Sequence, residues 1–274
     1  MMRIRLFILT VLSALFIFPF AAYCQGIWTQ QLVHSALKEK NPNYNGRGQF
    51  RIENGLVVVA VLSGTGVTDL SHLRKMHVQI LDLRGEQITD LSSLVGMSLT
   101  QLYLENTVVE DLSPLKGMPL VKLYLCNTKV KDISPLKGMP LQDLNLLGTG
   151  VTDLAPLRGM PLKFLWLNET PVSDISALSD CPLVSLTLHK TLVKDLGPLV
   201  NSRLERLHIG ETPVSDLTPL KGLSLKRLIF TPGRITKGIE IIREMKSIRE
   251  IGPSFENRMN PSQFWSIYSE GKFK

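Results

Sequence analysis

The stretch LVKLYLCNTKVKDISPLKGMP, residues 120–140, recurs along the chain at a fixed step of 21 residues. One aspartate marks each copy in register, and the eight aspartates are Asp69, Asp90, Asp111, Asp132, Asp153, Asp174, Asp195 and Asp216. A repeat of this length is one structural unit that cannot bury its apolar side chains alone. The period therefore predicts one elongated solenoid in which each repeat forms a coil and stacks on its neighbours.

The apolar positions of the repeat predict how one coil is built. Leu120, Leu123 and Leu125 give the pattern L-x-x-L-x-L, whose alternating end is typical of a short strand with one face directed inward. We therefore predict an α/β solenoid of about nine coils. It has a parallel sheet on its concave side and mostly 3-10 or irregular turns on its convex side.

The polar positions predict the turns. The hydroxyl of Thr128 is expected to bond to turn backbone in its own coil or the next. Asp132 precedes I-S-P-L, where a carboxylate can cap a short helical turn and proline is tolerated. Gly138 and Pro140 are typical of the turn that returns the chain to the next strand.

Some repeats depart from this pattern. Glu86 stands at the threonine position of the second repeat, and Ser93 and Ala177 stand at proline positions. Residues 201–203, N-S-R, replace G-M-P at the end of the seventh repeat. We expect an irregular convex turn there.

These motifs resemble the leucine-rich repeats of bacterial internalin-like proteins. The matching features are L-x-x-L-x-L, a threonine where many such repeats carry asparagine, and V-x-D-L-x-P-L, over residues 57–235. The resemblance implies a right-handed leucine-rich-repeat coil. N-P-N-Y-N-G at 41–46 and F-W-S-I-Y at 264–268 also resemble the flanks of arrays in large bacterial proteins that carry kinase-like or sulfatase-modifying domains. The sequence shows no such catalytic domain, so we expect the array itself to be the functional part.

Residues 1–24 have the composition of an export signal. Two arginines precede an apolar run at residues 6–18. We expect cleavage after Cys24 and a location in the periplasm, at the cell surface or outside the cell. Two alternatives stay open: a lipoprotein anchored at Cys24, which the bulky Tyr23 disfavours, and an uncleaved anchor at residues 6–23, which is of borderline length for a membrane span.

Residues 25–56 are predicted to cap the first repeat. Apolar residues at helical spacing predict a helix over residues 27–38. Asn54 and Gly55 between two apolar runs predict a tight hairpin. A cap is needed because the open end of a solenoid exposes a strand edge and apolar side chains.

Residues 236–274 are predicted to cap the other end. The period lapses after residue 235. A helix over 237–246 and a strand over 248–251 are expected. Asn260 is expected to cap a last helix that starts at Pro261 and carries aromatic residues as a lid over the final coil.

Outward positions of the strands hold most of the array's aromatic residues. Residues 57–235 contain five aromatic residues, and only Phe230 lies at a core position. The other four are Tyr103, Tyr124, Phe164 and Trp166. Exposed aromatic residues on a concave sheet are typical of a binding hot spot. The alternative, that they stack on cross-strand neighbours and stiffen the sheet, stays open.

The predicted partner-binding surface consists of side chains at these outward positions. Acidic residues lie toward its N-terminal half and basic residues with histidines toward its C-terminal half, a polarity that could orient a partner or reflect ordinary surface variation. The predicted binding residues are Tyr103, Glu105, Lys122, Tyr124, Asp143, Asn145, Phe164, Trp166, Asn168, His189, Arg206 and His208.

Composition argues against several other functions. The net charge of +7 falls to +5 without the two arginines of the signal, and the basic residues are scattered, which disfavours nucleic-acid binding. Cys126 and Cys181 occupy different positions in different repeats, so no disulfide is predicted. His189 and His208 lie close together without a third metal ligand or a nucleophile, so no metal, cofactor or catalytic site is expected.

We therefore predict an exported, non-catalytic protein that binds a protein or peptide through the concave face. Carbohydrate or envelope-polymer binding is one alternative, because tyrosine and tryptophan rings can stack on sugars. An enzyme or enzyme inhibitor and a purely structural scaffold are the others. No nucleic-acid partner is expected, and contact with a membrane is expected only through an uncleaved signal or a lipid anchor.

Overall fold

One open sheet runs the length of the repeats. The computed structural model describes residues 27–273, and the export signal expected at residues 1–24 lies outside them. Within the described residues the sheet has eleven strands in the order of the sequence. The first two strands pair antiparallel and all later neighbours pair parallel. The strands are β1 (Gln49–Glu53), β2 (Leu56–Val61), β3 (Ile80–Asp82), β4 (Gln101–Tyr103), β5 (Lys122–Tyr124), β6 (Asp143–Asn145), β7 (Phe164–Trp166), β8 (Ser185–Thr187), β9 (Arg206–Ile209), β10 (Arg227–Phe230) and β11 (Glu250–Gly252).

Each strand is only three to six residues long because the repeat offers one short alternating segment. Leu123 lies opposite Leu102 of β4 and Leu144 of β6 in the parallel register, and all three side chains are fully buried. The repeat period therefore places like residues on like residues from coil to coil. This arrangement confirms the predicted leucine-rich-repeat solenoid.

The turn side of the coils, opposite the sheet in each repeat, is built from 3-10 turns. Asp132 Oδ1 accepts a hydrogen bond of 2.7 Å from the Ser134 N–H at the start of one such turn. Thr128 Oγ1 donates to the Leu125 carbonyl of its own coil at 2.8 Å. Both predicted roles are confirmed. The 3-10 turns are Ser71–Lys75, Ser92–Leu94, Ser113–Leu115, Ser134–Leu136, Ala155–Leu157, Ser176–Leu178, Gly197–Leu199, Thr218–Leu220 and Pro232–Arg234.

The next turn depends on glycine. Lys137 has φ −54° and ψ 126°, and Gly138 follows with φ +74°, which is a type II turn. Where residues 201–203 replace G-M-P, Val200 instead has φ −49° and ψ −39° in the right-handed helical region. The expected irregularity is therefore present: with Asn201 at the glycine position, the chain continues in the helical conformation instead of forming the type II turn.

A helix and a hairpin lie over the N-terminal end, as predicted. Helix α1 (Gln30–Lys40) starts three residues later than expected because the Thr29 hydroxyl accepts the Leu32 N–H and ends the preceding extended segment. Asn54 and Gly55 turn β1 into β2 with φ of 51° and 77°. The N-P-N-Y-N-G segment ties this cap to the first repeat, because Asn41 Oδ1 accepts N–H groups from Thr68 and Asp69 at 2.8 Å each.

Glu86 makes a second contact of this kind. Its carboxylate is buried and accepts N–H groups from Thr65 at 2.5 Å and Gly66 at 3.1 Å, in the turn of the preceding coil. The residue that departs from the threonine pattern therefore satisfies backbone donors in the first turn.

The C-terminal end is covered by two helices and one more strand. Helix α2 (Ile239–Glu244) starts two residues later than expected because Gly238, in the left-handed region at φ 79°, precedes it, and it ends two residues earlier, where Met245 leaves the helical conformation. β11 extends the parallel sheet beyond β10. Helix α3 (Pro261–Ser269) starts as predicted, with Asn260 Oδ1 accepting the Gln263 N–H at 3.0 Å. Within residues 27–273 no helix is long and apolar enough to cross a bilayer.

Candidate ligand-binding face

The strand-side face consists of the outward residues of β3 to β10 and the residues that follow each strand. Its members occupy three positions of each repeat, such as Lys122, Tyr124 and Cys126, while the intervening leucines point into the core. Ten of the twelve predicted binding residues are partly exposed. They are Tyr103, Glu105, Lys122, Tyr124, Asn145, Phe164, Trp166, Asn168, His189 and Arg206.

The expected exposure is wrong for the other two residues. Asp143 is 8% exposed because Lys122, directly opposite in the parallel register, places its ammonium 3.0 Å from the carboxylate. His208 is also 8% exposed, between the rings of His189 and Phe255. Outward strand positions can therefore be covered by neighbours on the same face.

The four aromatic residues form one connected cluster. The rings of Tyr103 and Tyr124 meet edge to face with centroids 5.2 Å apart, and Tyr124 meets Trp166 in the same way at 5.8 Å. Phe164 and Trp166 stack at 6.1 Å. These distances lie in the range of favourable aromatic pairs. The rings therefore contact one another across the sheet, and part of each ring stays exposed.

Two of the three acidic residues in the N-terminal half of the face, Asp82 and Asp143, are paired with basic side chains. Arg84 binds Asp82 through contacts of 2.6 to 3.1 Å, and Lys122 binds Asp143. The hydrogen bond to Asp143 raises the pKa of Lys122, and burial raises the pKa of Glu105. The predicted charge polarity is therefore weaker than the sequence alone indicates.

The two histidines are in direct contact. Their rings stack with centroids 4.8 Å apart, and His189 Nδ1 lies 3.1 Å from the Gly210 carbonyl oxygen. Burial, and secondly the neighbouring His189, lower the pKa of His208 to about 4. His208 is therefore neutral at physiological pH. Residues 27–273 contain no group of three side chains placed to hold a metal ion.

Cysteine chemistry is suppressed on this face. Burial raises the pKa of the Cys126 thiol to about 11, so the thiol is protonated at neutral pH and a poor nucleophile. Cys181 is buried in the core, where desolvation raises its pKa as well. Both cysteines are free.

A pocket of about 370 Å³ occupies the C-terminal half of the face. It lies between the stacked Phe164 and Trp166 rings and Phe255, which belongs to the segment after β11 and is 41% exposed. Arg206 and Arg227 contribute guanidinium groups to the lining. The repeat pattern predicts nothing at Phe255, because it lies beyond the last periodic residue. The one sequence feature that points to Phe255 is its place directly after G-P-S at residues 252–254, a composition typical of a loop.

No protein-family model matches this sequence, and no curated protein matches it significantly. Solved structures do match. The internalin InlF of Listeria monocytogenes is 24% identical, with a TM-score of 0.64, over 86% of this chain and 75% of that protein. Internalin C2 of the same species is 25% identical, with a TM-score of 0.60, over 72% of this chain and 92% of that protein. The chain therefore has an internalin-like leucine-rich-repeat fold.

Proposed function

We propose that this internalin-like chain is an exported, non-catalytic binding protein that takes a protein or peptide ligand on the strand-side face. The observation that carries the proposal is the connected aromatic cluster. Core packing is complete without these four rings, since the inward leucines are fully buried in every coil. Partly exposed aromatic residues are the side chains that most often dominate binding energy at interfaces.

The shape of the face favours an extended protein surface or peptide over a small molecule. The aromatic rings extend from β4 to β7, across four strands that lie about 4.8 Å apart. A ligand of the size of one sugar ring would cover only part of the distance of about 14 Å from β4 to β7. A polypeptide laid across the strands would contact Tyr103, Tyr124 and Trp166 in succession.

Export is proposed from the composition of residues 1–24. Mass spectrometry of the mature protein from its native host distinguishes the three possible N-termini. Cleavage after Cys24 leaves Gln25 first, lipidation leaves a modified Cys24, and an uncleaved signal keeps the apolar run. Either of the last two results would show that the protein is anchored to a membrane and not released.

The binding proposal is tested with a random-peptide display library and a glycan panel as probes. We expect the wild-type chain to capture peptides, and the variant Tyr124→Ala/Trp166→Ala to lose at least about tenfold in affinity for them. It should still unfold cooperatively, with a melting temperature lowered by no more than about 10 °C, because three ring contacts on the outward face are lost while the core leucines stay buried.

The matched control is Lys116→Ala/Lys137→Ala, a double substitution of exposed residues on the turn side that should change neither property. Unfolding of the aromatic variant would favour a stiffening role and contradict the binding proposal. Capture of glycans without peptides would establish the carbohydrate alternative instead.

A further inference from the structure

The pocket beside Phe255 contains a basic side chain that has no acidic partner among the described residues. Arg227 is held by Glu250, and Asp143 is held by Lys122. Arg206 is the one charged side chain lining the pocket that makes no ion pair within residues 27–273. A ligand can neutralise this guanidinium without displacing a protein carboxylate.

The guanidinium of Arg206 is also oriented by its surroundings. Its central carbon lies 5.6 Å from the centroid of the Phe164 ring, and Phe164 stacks on Trp166. A guanidinium held over a ring still has N–H groups at its edge, and these match the two oxygens of a carboxylate. The aromatic stack thus fixes the position of a group suited to carboxylate recognition.

Two buried polar atoms of the pocket lining have no hydrogen-bond partner. They are Thr187 Oγ1 and His208 Nε2. His208 is more than nine-tenths buried and neutral, so it adds no second positive charge to the pocket. These two atoms have almost no accessible surface, so Arg206 is the unpaired charged group that a ligand in the pocket can reach.

From these contacts we propose, on the basis of the proposed function above, that the pocket binds an Asp or Glu side chain of an extended peptide together with an adjacent apolar residue. The carboxylate pairs with Arg206, and the apolar residue lies between Phe255 and the Phe164–Trp166 stack. One unpaired guanidinium suits a singly charged carboxylate better than a doubly charged phosphate. Trp166 connects the pocket to Tyr124, so the rest of the peptide continues along the aromatic cluster.

The experiment uses two display libraries of random peptides on the full chain: one with all residues and one without Asp and Glu. We expect enriched peptides from the first library to share an acidic residue beside an apolar one, and the second library to yield no binders of similar affinity. Replacing that Asp or Glu by Asn or Gln should weaken binding at least about tenfold, since a charge-assisted pair is lost.

Variants of the protein assign the effect to the pocket. Arg206→Gln should remove the preference for the acidic peptide over its amide analogue, and Arg206→Lys should retain part of it. Phe255→Ala should lower the affinity for peptides that carry a large apolar residue beside the acidic one. It should lower the affinity less for peptides that carry alanine at that position. Tyr103→Ala, outside the pocket, should lower affinity without changing the preference for acid.

The possible failures are distinguishable. If no peptide binds, both the proposed function and the pocket assignment are overturned. If peptides bind through Trp166 and Tyr124 but Arg206→Gln keeps the acid preference, only the pocket assignment fails. A requirement for a free C-terminal carboxylate, seen as loss of binding when the peptide is amidated, would overturn the assignment to a side chain.

Discussion

The turn side and the strand side of the same coils follow opposite rules. On the turn side, one contact repeats in every coil described by the 21-residue period: an aspartate oxygen accepts the N–H two residues later at 2.7 to 2.8 Å. On the strand side, neighbouring coils present different side chains, such as Lys122, Asp143 and Phe164 at one position. The solenoid needs the first set to form and leaves the second set free to vary.

The difference is one of burial and of what each side chain contacts. Leu136 of a turn-side 3-10 turn is fully buried within the coil, whereas Tyr124 on the strand side is half-buried and contacts other outward rings. In a repeat protein each coil is stabilised by its own packing and by its neighbours. Substitutions on the two sides should therefore have very different effects on stability.

The largest effect is expected for Leu136→Ala. It leaves a cavity in a closely packed coil and should lower the free energy of unfolding by about 2–5 kcal/mol. Tyr124→Ala should cost less, about 1–3 kcal/mol, because it removes two ring contacts of a half-buried side chain. Urea unfolding of both variants gives the comparison, and an equal cost at the two positions would contradict it.

His208 is one of the strand-side residues that depart from this contrast, because it is buried. Its pKa falls from 6.5 to about 4 in the folded chain, so the unfolded state binds more protons between those pH values. The contribution of the neutral imidazole to stability is complete above pH 6.5 and is lost as the pH falls toward 4. Between pH 7 and 4.5 the wild type should lose about 2 kcal/mol more than His208→Gln.

Urea unfolding of the two proteins at both pH values measures this difference, because groups that do not interact with His208 titrate alike in both. His189 and Glu256 are the ionisable neighbours that influence His208, so His189→Gln should raise its pKa slightly and reduce the difference. An identical pH dependence of wild type and His208→Gln would show that the imidazole is solvated, like a typical outward residue.

The repeat period was sufficient to predict the turn side. It places the buried leucines, the capping aspartates and the positive-φ glycines by position alone, because each coil has the same neighbours. The Lys122–Asp143 ion pair could also have been predicted from the repeat period. The two residues occupy the same position in adjacent repeats, and the parallel register brings them together. We expected both side chains to be exposed, because the alternation along a strand predicts which face a side chain points to. It does not predict whether a neighbouring side chain covers it there.

The pocket could not be predicted in the same way. Phe255 reaches the face through an irregular segment after β11, and its contacts with His208 and Arg227 depend on the path of that segment. The hydrogen bonds of Asn41 to the first repeat could not be predicted for the same reason, because Asn41 lies outside the periodic part of the sequence. Contacts between periodic and non-periodic segments leave no regular trace in the sequence.

The smallest effect concerns a single turn-side cap. Asp132 accepts the N–H of Ser134 at 2.7 Å and its hydroxyl at 2.9 Å. Asp132→Ala removes both acceptors and should cost about 1 kcal/mol, while Asp132→Asn keeps one oxygen and should cost less. The exposed neighbour Lys131, as Lys131→Ala, provides the control, and urea unfolding measures all three variants.

Combining Asp132→Ala with Asp111→Ala, in the adjacent coil, then asks whether the turn side acts coil by coil. Each aspartate bonds only within its own turn, so the two costs should add to about 2 kcal/mol. A combined cost well above the sum would mean that losing one cap loosens the next coil. The turns of adjacent coils would then be energetically coupled. The turn side would differ from the strand side in this coupling as well as in burial.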